Sequence, residues 1–72
     1  MSRRPKITQD IVMDYLVGFI SENGYSPSVR EIQLGLDIDA PSTVQRRLRQ
    51  LEDAGRISRH RFKSRTIRVV ND

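Results

Sequence analysis

Three helices followed by a two-stranded β hairpin make up the mainly α fold that this sequence of 72 residues predicts. Three observations predict it. Apolar residues recur at helical spacing in three separate runs, turn-forming residues punctuate those runs, and two short arginine-studded, β-branched segments close the chain. The length suits one domain over residues 1–72, with a core that leaves only a few kcal/mol of stability.

Thr8 is placed to cap the first helix, in which Ile11, Val12, Tyr15, Leu16, Phe19 and Ile20 follow the spacing of one buried stripe. Asn23-Gly24 ends that helix, and Tyr25-Ser26-Pro27 forms the connection. Ser28-Val29-Arg30-Glu31 is a capping box, its hydroxyl and carboxylate each facing a free backbone N–H. A short second helix therefore starts at Ser28 and ends by Asp37, with Val29, Ile32 and Leu36 inward. Gly35 inside it weakens the helix by about 1 kcal/mol relative to alanine, which reads either as room for a close neighbour or as early fraying.

In the turn that follows, Ile38 is expected to plug the core. Asp39 or Ala40 makes the approach to the third helix, and Pro41 suits its first position, where a missing N–H costs nothing. That helix runs to residue 54, and Gly55 is placed for the left-handed conformation beyond its end. Residues 56–61 and 65–70 read as strands joined by 62–64, with Ile57, Ile67 and Val69 facing the helices and the arginines in solvent. The whole is a three-helix winged helix-turn-helix with a C-terminal two-stranded β wing.

Composition narrows the function. Cysteine is absent, which removes disulfides and thiolate metal sites and fits a reducing, intracellular setting. Gln9, Asp10 and Asp14 interrupt the region after the basic N-terminus, so no signal-peptide stretch is expected, and no apolar run approaches the roughly 18 residues of a membrane span. The expectation is a soluble, cytoplasmic, nucleoid-associated protein with no membrane partner.

The net charge is +4, but it is unevenly spread. Residues 7–39 hold one arginine against six carboxylates, whereas residues 40–68 hold nine lysines and arginines against two. A basic face of this kind attracts and orients a polyanion, which makes nucleic acid the expected partner.

Val44, Leu48 and Leu51 form a buried seam on the third helix. At about 100° per residue, Ser42, Gln45, Arg46 and Arg49 point the opposite way, as reading base edges in a major groove requires. Arg49 stands a turn further on, at phosphate range, while Arg47 is rotated toward the apolar flank, where its stem covers the first helix. In the wing, Arg59, Arg61, Lys63, Ser64 and Arg65 are candidates for backbone contact; a solvated hairpin edge guarded by charge is the competing reading. Arg3, Arg4 and Lys6 form a basic arm over residues 1–6, expected to be flexible and suited to a minor groove. His60 has no second histidine, cysteine or suitably spaced carboxylate, so no metal site is expected. Phe62 is the one aromatic among the basic strands, which favours duplex DNA over single strands.

The ordered set Ile20-Ser21, Gly24, Pro27, Glu31-Ile32, Leu36, Pro41, Leu48, Leu51, Gly55, Ile57 and Ser64-Arg65-x-Ile67-Arg68 resembles the N-terminal winged helix-turn-helix domain of LexA-type SOS repressors, from about Ile7 to Val70. The resemblance implies that the early residues of the third helix enter the major groove and that the wing touches the DNA backbone. By position, the base readers it implies are Ser42, Thr43, Gln45 and Arg46, with Ala40 and Arg49 at the margins. The family often has asparagine at the place of Ser42 and glutamates at those of Gln45 and Arg46. Replacing acceptor-only carboxylates with an amide and a guanidinium changes the preferred base, so the family's operator does not transfer.

The family's second half, which brings dimerisation and a serine-lysine self-cleavage centre, has no counterpart in these residues. Lys63 and Ser64 do not replace it, and no enzymatic activity is expected. The function implied is that of a sequence-specific duplex-DNA-binding transcriptional regulator, a LexA-like repressor domain needing no cofactor or small-molecule ligand. A single module of this size buries about 600–1,000 Å² on DNA, which favours a homodimer on paired half-sites. Five or six cations on phosphates give a logarithmic salt slope of about −4 to −5. A winged-helix protein-interaction module, such as an antirepressor or assembly adaptor, and an RNA-binding module are the rival readings.

Overall fold

The computed structural model describes residues 7–60, 63 and 65–70. Helix α1 (Gln9–Asn23) begins at Thr8, whose extended backbone lets its hydroxyl accept from the Ile11 N–H at 3.3 Å. Gly24 closes it at φ 78°, a left-handed conformation that glycine adopts without steric cost, and donates to the Ile20 carbonyl.

Helix α2 (Val29–Gly35) opens on both halves of the capping box. Ser28 Oγ accepts from the Glu31 N–H at 3.2 Å, and Glu31 Oε1 accepts from the Ser28 N–H at 2.9 Å. The two readings of Gly35 separate here. A β-carbon at that position would lie 2.6 Å from Tyr15 Cε1 and Cζ. Glycine therefore leaves room for a ring whose hydroxyl donates to the Glu31 carbonyl at 3.2 Å. Asp37, at φ 53°, takes the reversal after α2, a conformation short polar side chains tolerate better than most. Ile38, 8% exposed, then enters the core as expected.

Helix α3 (Pro41–Asp53) has proline at its start and Ala40 as a cap without a side-chain hydrogen bond. Val44, Leu48 and Leu51 are fully buried against Val12 and Leu16 of α1 and Ile32 of α2. Gly55 reverses the chain at φ 74°.

The wing is shorter than the sequence suggests. Strands β1 (Ile57–Ser58) and β2 (Arg68–Val69) pair antiparallel, Ile57 opposite Val69 and Ser58 opposite Arg68. Two causes end the ladder early. Arg65 sits at φ 58°, out of the extended region. The Thr66 hydroxyl accepts from the His60 N–H at 2.9 Å, a side chain taking the place of a strand carbonyl. Residues 61, 62 and 64, expected in the strands and their joint, lie outside the described residues. Ile57 and Ile67 are buried and Val69 packs against the same core, which fixes the wing against the helices. Ser26 adds a polar tie: it is buried, and its Oγ accepts from the Ile67 N–H at 3.2 Å. Among the described residues, no helix is long and apolar enough to cross a membrane.

Candidate nucleic-acid interface

Because Val44, Leu48 and Leu51 commit one side of α3 to the core, its rotation turns Ser42, Gln45, Arg46 and Arg49 to solvent, and all four are exposed. They line one groove of about 750 Å³ together with the start of α2 and with Arg59, His60, Lys63 and Arg65 of the wing. Six lysine and arginine side chains border that groove against one carboxylate, Glu52. The helix face and the hairpin therefore share one electropositive surface.

Thr43 does not line that groove. It is half-buried at the first turn of α3, its N–H bonded to the Ala40 carbonyl at 3.1 Å. Arg47 also turns away: its Nη1 donates to Gln50 Oε1 at 2.9 Å, and Gln9 of α1 donates to the same oxygen at 3.4 Å. The arm residues Arg3, Arg4 and Lys6 and the wing residues Arg61 and Ser64 lie outside the described residues.

The expectation that the wing arginines stay in solvent needs correcting at Arg59. Its side chain is 14% exposed and is held by Glu52 Oε1, 2.8 Å from its Nε. Its Nη1 also donates to Gln45 Oε1 at 3.1 Å. Burial of the hydrocarbon stem against α3 and a carboxylate one helical turn beyond Leu48 draw it inward.

Arg65 is tied at the groove's other wall. Its Nη1 lies 2.7 Å from Glu31 Oε1, and its guanidinium sits 5.1 Å from the centre of the Tyr25 ring. The Ser28 backbone N–H, and after it the Arg65 side chain, holds the Glu31 carboxyl below its ordinary value. One carboxylate thus caps α2 and anchors the wing.

Sequence reasoning passed over Arg30, which lines the groove from the first turn of α2. The available signal was its place two residues after the Ser28 cap, which turns it away from inward-facing Val29 and Ile32. Glu52 and Ser26 were also missed as wing anchors. Their partners lie 7 and 41 residues away in sequence, beyond the reach of local pattern.

Two helices joined through the turn at 36–40, a third helix beneath them and a hairpin beside the exposed face define a winged helix-turn-helix protein. The chain belongs to the LexA DNA binding domain family, whose model matches residues 6–66. It is 43% identical over 63 residues to the LexA repressor of Herpetosiphon aurantiacus, covering 88% of this chain and 29% of that protein. Against the LexA repressor of Ruminiclostridium cellulolyticum it is 35% identical over 71 residues, 99% of this chain and 33% of the relative. For the LexA repressor of Bacillus mycoides the identity is 39% over 72 residues, 100% and 35% respectively. The chain spans about a third of the length of these curated relatives.

Proposed function

We propose that this chain is the reading head of a LexA-like transcriptional repressor that binds duplex DNA by sequence. The observation that carries the reading is the shared groove, in which the solvent side of α3 and the wing cations face the same way. Helix α3 enters the major groove, where Ser42, Gln45 and Arg46 meet base edges; a guanidinium fork at Arg46 suits guanine O6 and N7. Thr43, half-buried, serves the helix start and a nearby phosphate rather than a base. Arg30, Arg49 and Lys63 hold the phosphate backbone, joined by Arg61 and Ser64 of the wing, while Arg65 stays with Glu31; Arg3, Arg4 and Lys6 follow an adjacent minor groove. The role is binding rather than catalysis, exercised from one domain over 1–72, and two copies occupy paired half-sites because one module covers little DNA. Selection from a random duplex library, followed by competition with structured RNA at matched salt, tests this. An enriched duplex motif is expected; no enrichment, or tighter binding to the RNA, would refute it.

A further inference from the structure

Gln45 is the only neutral amide on the groove-facing side of α3, and its oxygen is already engaged. A guanidinium has donors and no acceptor, so the Arg59 Nη1 contact at 3.1 Å requires the amide oxygen, not the nitrogen, to face the wing. Arg59 is in turn held through its Nε by Glu52 at 2.8 Å, in a side chain 14% exposed. A free glutamine reads adenine by accepting from N6 while donating to N7. Here the cation takes one of the two lone pairs of the amide oxygen, and an adenine amino group arriving at the other would meet the guanidinium's own donors.

Resting on the duplex-reading role above, we propose that Glu52 and Arg59 are positioning residues that convert Gln45 into a donor-only reader. The base pair it meets is then read as guanine, whose N7 and O6 are both acceptors, rather than adenine. Glu52 touches no base; it fixes Arg59, and Arg59 fixes the amide.

The test is library selection with the full chain and four variants. Gln45→Ala maps the position by the one base preference it relaxes. Wild type is expected to favour guanine there. In Glu52→Gln/Arg59→Met, which removes both charges and leaves no unpaired carboxylate, the adenine-to-guanine ratio at that position should rise by about fivefold or more, the scale of one bidentate contact. Other positions should keep their preferences, which a merely structural defect would not allow. Arg59→Lys retains a donor to Gln45 and should retain guanine. Should the double variant fail to fold by circular dichroism, Glu52→Gln alone carries the test, with a smaller shift in the same direction. Adenine already preferred by wild type at the mapped position, or no change there in the variants, overturns the inference. Absence of any enriched motif with wild type would instead sink the duplex-reading role itself.

Discussion

Replacing Gly35 with alanine should destabilise the protein, although helix propensity alone says the reverse. Gly35 is the last residue of α2 and exposed, a place where Gly→Ala gains at most about 1 kcal/mol. The new β-carbon, however, would stand 2.6 Å from Tyr15 Cε1 and Cζ, well inside the 3.5–4.0 Å at which carbon atoms rest. The ring end, part-exposed, must swing away, at a cost near the low end of overpacking, about 1 kcal/mol. It also gives up the hydrogen bond to the Glu31 carbonyl, worth about 1 kcal/mol. Burial, and then the Glu31 charge, pushes the Tyr15 phenol up, so the hydroxyl is present as a donor at neutral pH. The net is a loss of about 1 kcal/mol, which lowers Tm by about 4–8 °C in a domain of this size. Thermal unfolding of Gly35→Ala, Tyr15→Leu and the double variant forms the assay. In the Tyr15→Leu background the alanine should be neutral or stabilising, because only propensity remains. Equal destabilisation in both backgrounds would refute the steric account and implicate the backbone of α2 instead.

Three other outcomes follow from the same geometry. Arg46→Ala should relax base preference at one position, whereas Lys63→Ala should weaken all duplexes alike and reduce the salt slope by about 1; equal losses on every sequence for both would show that Arg46 does not read a base. Glu31 has a folded pKa below its ordinary 4.5. Its contribution is therefore fully present above the unfolded pKa and is lost as pH falls through the folded one, so Glu31→Gln should flatten the decline of Tm below about pH 4.5. Arg47 carries a buried Nε without a hydrogen-bond partner. Arg47→Met keeps the stem and removes both that donor and the Nη1 bond to Gln50, so stability should change by no more than about 1 kcal/mol in either direction, and duplex affinity should be unchanged in a titration.

Much of this fold is written locally in the chain. Thr8, Gly24, the Ser28–Glu31 box, Pro41 and Gly55 act on backbone groups within a few residues, so type and order alone disclose the helix ends. The open side of α3 was equally legible, because a strict apolar seam leaves the opposite side no other place to go. What pattern does not carry is long-range pairing. Tyr15 selects Gly35 across two helices, Ser26 bonds Ile67, and Glu52 and Glu31 capture Arg59 and Arg65. The strands were overdrawn for a related reason: β-branched residues favour extension, but the Thr66 hydroxyl competes for the ladder bond at His60.

Those captured arginines bear on how strongly salt should weaken binding. A count of basic residues treats every cation between 40 and 68 as available to phosphate. In the folded chain Arg56 is paired with Asp10 at 2.9 Å, Arg59 with Glu52 and Arg65 with Glu31, while Arg47 faces Gln50. A cation already held by a carboxylate neutralises a phosphate poorly, so fewer of the counterions condensed on the DNA are released on binding. Among the described groove residues, Arg30, Arg46, Arg49 and Lys63 make no ion pair. With Arg46 shared between base and backbone, these four residues would meet three to four phosphates and contribute a slope of about −3 to −4 at −0.9 per phosphate. Measuring log affinity against log salt in a variant with Arg3, Arg4 and Lys6 changed to alanine isolates this surface from the arm. Glu52→Gln in that background should steepen the slope by up to about 1 as Arg59 is freed. A slope already steeper than about −5 would mean that DNA strips these arginines from their carboxylates, and that the pairs seen in the free protein do not govern its electrostatics.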